Sequence, residues 1–375
     1  MTSPIYLDHN ATTPLAPGVL SVMTRYLATD FGNPSSAHRY GHAPRHAMAT
    51  SRTQLAELLG AQPSEIVFTG CGSEANTLAL TGVAATRAGN VITQATEHPA
   101  VLETCKTLAA RGIRIIVLPV DEHGLVTVAD LAAALTNDTL LVSIMHANNE
   151  TGTVQPIAQL VTLTHEAGAL FHTDAAQTVG KLPLSVDDLG VDLLTVAGHK
   201  FGGPKGVGAL YIRSGVELTP VIRGGGQERG LRSGTENVAG IAGMGAAAEH
   251  AVKNVATNQW RLVAMRDLLH HLLAEALGER VMLNGHPTHR LPNTLNVSIA
   301  ATVGAELLDR IPQIAASTGS ACHDGSITSP VLAAMGMGTD RAAGAIRLSL
   351  GPSTTEEQIR YAASLLAAAA QNSGS

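Results

Sequence analysis

Seven short apolar runs recur through the first part of this chain, and amphipathic stretches of helical period fill most of the gaps between them. The runs are Ile66–Thr69, Val91–Gln94, Ile113–Pro119, Leu140–Met145, Ala169–Thr173, Leu193–Ala197 and Val207–Ile212. The helical stretches are Ala75–Thr86, Ala100–Ala110, Val128–Leu135 and Ile157–Glu166. Alternation at this spacing predicts an α/β fold with a mostly parallel seven-stranded sheet covered by helices on both faces. The last two runs are separated only by the loop Gly202-Gly203-Pro204-Lys205-Gly206. That gap is too short for a parallel crossover, so at least one strand is expected to run antiparallel or to sit elsewhere in the sheet.

Composition changes near Gly224-Gly225-Gly226. A long helical tract follows from Ala239 to Leu277, with Leu262, Met265, Leu269, Leu272 and Leu273 in helical period. A strand at Pro292–Ile299 and a final helix at Thr355–Ala370 then suggest a smaller α+β domain. The expected division is a large domain over residues 15–255, with 1–14 and 256–375 forming the small one. The length of 375 residues accommodates two such units.

With 45% apolar and only 14% charged residues, the chain has the balance of a well-buried enzyme rather than a disordered protein. Its net charge of −6, with the two signs interspersed, gives no reason to expect nucleic acid or an anionic membrane as partner. No signal peptide is evident at the start, and the Ala/Gly-rich segment Ala239–Ala248 is too short to span a bilayer. Cys71, Cys105 and Cys322 are widely spaced and form no CxxC pair, which reads as cytosolic thiols. The expected compartment is the cytoplasm, and no metal site is expected.

Two of the strand ends carry charge. Asp192–Ala197 runs into Gly198-His199-Lys200, and Ala169–Thr173 into Asp174-Ala175-Ala176-Gln177. An amine and a carboxylate at neighbouring loop edges are what a pyridoxal phosphate site requires. The amine forms a Schiff base with the aldehyde, and the carboxylate holds a proton on the pyridine nitrogen. Taken alone, Lys200 reads as a surface cation.

Other residues are equally open when read singly. Gly70-Cys71-Gly72-Ser73 is a turn that opens a helix, suited to a phosphate or simply capped by Ser73. His98, in Thr96-Glu97-His98-Pro99, is either an ordinary histidine or an imidazole that stacks on a cofactor ring and shuttles protons. Asn149 sits in a polar turn, Asn148–Gly152. Arg347 lies in the alternating run Ala345–Leu350, where it serves a structural ion pair or clamps a carboxylate. Cys105 reads as a small packing residue, whereas Cys71 is ambiguous. Cys322, in the aperiodic segment Ser317–Ser326 beside His323, is an incidental loop thiol or a nucleophile.

Taken together, the segments resemble the cysteine desulfurases and selenocysteine lyases, pyridoxal phosphate enzymes of the class V aminotransferases. The likeness covers nearly the whole chain. It runs through Tyr6–Pro14, Phe31–Ser36, Thr96–His98, Met145–Gly152, His172–Gln177, Gly198–Lys200, Gly224–Arg229 with Arg232–Thr235, Gly319–Cys322 and Arg347–Gly351. It implies a fold type I enzyme in which Lys200 holds the cofactor, Asp174 faces the ring nitrogen, and Gln177 and Asn149 face the ring oxygen. His98 would lie on the ring face, with Gly72, Ser73 and His199 at the phosphate. Thr235 would reach the phosphate of a second subunit, which implies a homodimer. Arg347 with Asn33 would clamp the substrate carboxylate. Cys322 would take sulfur from L-cysteine, leaving alanine and a persulfide for a sulfur-acceptor protein.

Two departures stand out. Many desulfurases have serine where this chain has Ala197, which removes one phosphate hydrogen bond. The stretch from Cys322 to Leu332 also resembles selenocysteine lyases, which leaves L-selenocysteine as the alternative substrate. An ordinary transaminase and a non-catalytic scaffold protein are the remaining alternatives. The cysteine loop weighs against the first, and the presence of Lys200, Asp174 and His98 against the second.

Overall fold

The computed structural model describes residues 4–318 and 329–372. After a short strand β1 (Ile5–Tyr6) come helices α1 (Val19–Ala28) and α2 (His42–Leu59). Strands and helices then alternate: β2 (Ile66–Thr69), α3 (Gly72–Ala84), β3 (Asn90–Gln94), α4 (Pro99–Ala110), β4 (Arg114–Leu118) and α5 (Val128–Ala134). The series continues with β5 (Thr139–Ser143), α6 (Ile157–Glu166), β6 (Leu170–Asp174), α7 (Val186–Leu189), β7 (Leu193–Ala197) and β8 (Gly208–Ile212).

The seven strands β2 to β8 form one sheet in the order β2-β8-β7-β6-β5-β3-β4. All neighbours are parallel except that β8 runs antiparallel to both β7 and β2, the reversal that the short Gly202–Gly206 loop demands. The apolar runs are continuous because both sheet faces are covered. Ile66, Phe68, Ile92, Val142, Leu194 and Val196 belong to a core shared with α2 and α6. Their strand neighbours Val67, Val91, Leu141 and Leu193 belong to a second core with α3 and α4. This is the two-residue period of a strand read from its two sides.

Helix α8 (Val238–Leu277) leads out of the sheet. Its first half is built from small residues and packs closely on α2. A Cβ added at Gly245 would lie 2.6 Å from Ser51 Cβ, so the two backbones meet at a distance only glycine allows there. Its second half presents Leu262, Met265, Leu269 and Leu273 to a separate core. Residues 255 and 256 both lie within this helix.

Beyond α8 come β9 (Val281–Leu283), β10 (Thr294–Ile299), α9 (Gly304–Asp309), β11 (Ile314–Ala315), α10 (Pro330–Ala334), α11 (Thr339–Ala343), β12 (Ala345–Ser349) and α12 (Glu356–Gln371). Strands β9, β10 and β12 form an antiparallel sheet with β10 in the middle. Leu295, Val297, Ile346 and Leu348 from this sheet, Ile359 and Leu366 from α12, and Ile5 and Leu7 from the N-terminal segment complete the core. Strand β1 reaches that side by pairing in parallel with β11.

Two sequence expectations need correction. All five residues of β12 are buried, so the strand carrying Arg347 is not the half-exposed, alternating one anticipated. The N-cap of α3 is Cys71, whose Sγ accepts from Glu74 N at 3.4 Å; Ser73 is the second residue of the helix instead.

Candidate active site

In an open parallel sheet the strand carboxyl ends leave a crevice, and the loops there carry the side chains of a site. Here His98 follows β3, Asn149 follows β5, Asp174 ends β6 and Lys200 follows β7. They line one cavity of about 490 Å³ with Asp8, Asn10, Gly72, Ser73, Asn76, Gln177, His199 and Arg347.

Lys200 is half-buried. Its Nζ donates to the Asn10 carbonyl at 2.6 Å and the Ala11 carbonyl at 3.0 Å. Burial, followed by the charge of Arg347, brings its ammonium down to about 8, against the pull of Asp174 and Asp8. A substantial free-amine fraction near neutral pH is the condition for condensing with an aldehyde.

Asp174 is buried, and both of its oxygens are engaged. Oδ2 accepts from Asn76 Nδ2 at 2.7 Å and Oδ1 from the Ala176 amide at 2.9 Å. Asn76 lies on α3, one turn beyond Ser73, so the helix that presents its N-terminus to the cavity also aims the carboxylate.

The first turn of α3 approaches β7 closely. A Cβ at Gly72 would lie 3.1 Å from Ala197 Cβ. Backbone N–H groups and the positive end of a 13-residue helix thus open into the cavity. His199 faces the same region, with Nδ1 3.1 Å from Thr12 Oγ1. Burial, then Lys200 and its neighbouring lysines, lowers its pKa to about 4, so it is a neutral imidazole at physiological pH.

His98 caps α4, its Nδ1 accepting from the Ala100 amide at 3.1 Å. The acceptor role of Nδ1 leaves the proton on Nε2. The turn that carries it is anchored by Glu97, whose Oε1 accepts from Met145 N at 2.5 Å and Gln94 Nε2 at 3.0 Å. Burial raises the Glu97 carboxyl to about 8, so this anchor is largely uncharged at neutral pH.

Arg347 is buried. Nη2 pairs with Asp8 Oδ1 at 2.7 Å, and Nη1 donates to the Asn149 carbonyl at 3.0 Å. The structural-pair alternative read from the sequence is therefore realised, on an arginine that also faces the cavity. Gln177 Nε2 donates to the Asn10 carbonyl at 3.0 Å.

Asn33 and Thr235 are exposed and do not line this cavity in the single chain. Cys322 lies outside the described residues. Cys105 is buried in the core, where burial pushes its thiol up to about 12, as befits a packing residue. Cys71 is exposed at the cavity edge. Among the described residues, no group of three or more His, Cys, Asp or Glu side chains is arranged to hold a metal.

Four lining or supporting residues escaped the sequence reading: Asp8, Asn10, Asn76 and Lys181. The polar run Asp8-His9-Asn10, directly after an apolar strand, was the available signal for the first two. For Asn76 it was its place one helical turn after Ser73.

The donor set fits pyridoxal phosphate. An amine of lowered pKa, a fixed carboxylate, a helix N-terminus approached without side-chain hindrance and an amide donor all open into the same space. Comparison with known proteins agrees. The Aminotransferase class-V family model matches residues 5–361. The chain is 46% identical over 372 residues to the cysteine desulfurase IscS of Dictyoglomus turgidum, covering 98% of this chain and 94% of that one. It is 43% identical over 365 residues to a human cysteine desulfurase, covering 96% and 80% of the two chains. A solved NifS-like protein superposes with a TM-score of 0.91 at 40% identity, over 97% of this chain and 98% of that one. SspA in complex with cysteine gives 0.82 at 37% identity, over 94% and 100%. With fold, cavity and comparisons in accord, the chain belongs to the class-V aminotransferases and, within them, to the pyridoxal-phosphate-dependent cysteine desulfurases.

Proposed function

We propose that the protein removes sulfur from L-cysteine, releasing L-alanine and leaving a persulfide on Cys322 for an acceptor protein. The observation that carries this reading is the convergence of Lys200, Asp174 and Arg347 on one cavity. Bound there, pyridoxal phosphate supplies the electron sink that allows bonds at the substrate's Cα and Cβ to break heterolytically.

This chain's residues would supply the rest. Lys200 Nζ would hold the cofactor through its aldehyde and, as a free amine of lowered pKa, would serve as base for the substrate's Cα proton. Asp174, fixed by Asn76, keeps a proton on the ring nitrogen. His98, whose Nδ1 is held by the Ala100 amide, would lie against the ring and keep Nε2–H available for proton transfer. Gln177 and Asn149 meet the ring oxygen. Gly72, Ser73 and His199 hold the phosphate; with Ala197 offering no hydroxyl, these contacts carry more of its binding. Arg347 would exchange Asp8 for the substrate carboxylate. The Cys322 thiolate would then attack the substrate sulfur: an S–S bond forms, the Cβ–S bond breaks with its electron pair left on carbon, Cβ takes up a proton, and Lys200 returns a proton to Cα to give alanine.

Thr235 does not line the cavity of its own chain, which supports a homodimer in which it completes the partner's phosphate site. The widely spaced cysteines support a cytoplasmic enzyme. No helix among the described residues is long and apolar enough to cross a membrane. The two hydrophobic cores support a large unit of residues 15–255 and a small one of 1–14 with 256–375.

The test is alanine release from L-cysteine and L-selenocysteine, side by side, in the parent and in Cys322→Ala. Cysteine turnover that disappears in the variant is the expected result. Cysteine turnover at the parent rate in the variant removes Cys322 as nucleophile. Turnover of selenocysteine alone makes the protein a selenocysteine lyase.

A further inference from the structure

Behind the cavity lies a second lysine that the proposed chemistry does not use. Lys181 is buried, 8% exposed, and among the described residues it forms no ion pair. Its Nζ donates to Gln177 Oε1 at 2.7 Å and to Asn10 Oδ1 at 2.9 Å. A buried amine without a carboxylate is costly to keep. Burial, with Lys200 and Arg347 adding to it, holds its pKa well below the usual lysine range.

Its partners give it a definite effect. In both contacts the Lys181 nitrogen is the donor, so each atom facing it is an acceptor. Asn10 Nδ2 is already committed to Thr294 Oγ1 at 2.8 Å and the Asn149 carbonyl at 3.2 Å, which turns Asn10 Oδ1 toward Lys181. The Gln177 amide sits between Lys181, a donor, and the Asn10 carbonyl, an acceptor only. The complementarity admits one orientation: Oε1 on Lys181 and Nε2 on Asn10, with the second Nε2–H left over. Gln177 lines the cavity, so the only function it has left to offer there is a donor.

We propose that Lys181 is a positioning residue that locks the Gln177 amide as a donor toward the cofactor's ring oxygen and so favours that oxygen as an anion. The inference rests on the reading of Gln177 as the ring-oxygen partner. Without Lys181 only the Asn10 carbonyl orients the amide, and whenever the amide turns its oxygen would meet the ring oxygen and repel the anion.

The readout is the pH at which the visible absorbance of the bound cofactor titrates, measured in loaded protein without substrate. Losing a donor to the ring oxygen makes the conjugated system more basic, so the midpoint rises. For Lys181→Met the expected rise is about one pH unit, a tenfold change in proton affinity. Lys181→Arg, which keeps a donor, is expected to stay near the parent value. Lys181→Met in a Gln177→Leu background should add no further shift, because Lys181 acts through Gln177.

A folded, loaded Lys181→Met with an unchanged midpoint overturns the proposal, provided Gln177→Leu alone shifts it. If Gln177→Leu shifts nothing, the reading of Gln177 itself falls, and the proposal with it. Should Lys181→Met fail to fold, Lys181→Gln is read in the same way. A smaller upward shift is then expected, and no shift overturns the inference.

Discussion

The two halves of this molecule solve different problems with different residues. Around the seven-stranded sheet, β-branched and leucine strands pack against helices rich in alanine and glycine, and the strand ends are crowded with buried polar groups. Around the three-stranded sheet one face packs a leucine and isoleucine seam, while buried Asn284, Thr294, Asn296, Ser298 and Arg347 make its polar part. The large unit brings Lys200, Asp174 and His98 to the cavity, and the small one adds Asp8, Asn10 and Arg347 from the margin of its leucine and isoleucine core. The lesson is that chemistry and packing can be perturbed separately here.

The sharpest separation comes from Lys200→Ala. Alanine release from cysteine is expected to vanish, with the melting temperature of the apo protein unchanged or slightly raised, since a half-buried amine of lowered pKa is removed. A large loss of apo stability would mean that Lys200 is also structural.

Leu269→Ala, in the leucine seam, is expected to destabilise by about 2–5 kcal/mol, as large-to-small core substitutions do. The turnover of the surviving folded enzyme should be close to that of the parent. Urea unfolding followed by assay below the transition checks both. A matching fall in turnover would break the division between the halves.

Gly245→Ala probes the opposite failure on the sheet side, where α8 touches α2. Its Cβ would lie 2.5 Å from Gln54 Oε1 and 2.6 Å from Ser51 Cβ. Overpacking of this kind costs typically about 1–3 kcal/mol, read by the same urea titration. A neutral or stabilising result would show that the α2–α8 contact has room to give.

The smallest effect is one of pH. Lys200 condenses with pyridoxal phosphate only as the free amine. With its pKa lowered to about 8, the reactive fraction grows as pH rises through that value. Reconstitution of apo protein should therefore quicken about fivefold between pH 7 and 8 and level off above about 9. A rate still climbing about tenfold between pH 8 and 9 would indicate an ordinary, unshifted lysine.

The parts of the fold that were legible in the sequence were those whose residues announce their own environment. Runs such as Leu193–Ala197 and Ile157–Glu166 match their elements residue for residue, because apolar character and period do not depend on a distant partner. Helix α2 was not anticipated. Its buried face breaks the apolar period with Ala47, Ser51 and Ala56, and Ser51 buries well because Gly245 on α8 lets the helices meet. The charged strand-end residues Lys200 and Asp174 stood out for the same local reason. Asn10 and Lys181 did not, because their roles consist of hydrogen bonds to each other across 171 positions of sequence. The Arg347 partnership with Asp8 spans 339.

Helix α8, at 40 residues, is about 60 Å long, enough to run as a single shaft through both cores. Neither half can melt without fraying the beam on which the other is threaded, so heat should register one absorption peak in a calorimeter rather than two.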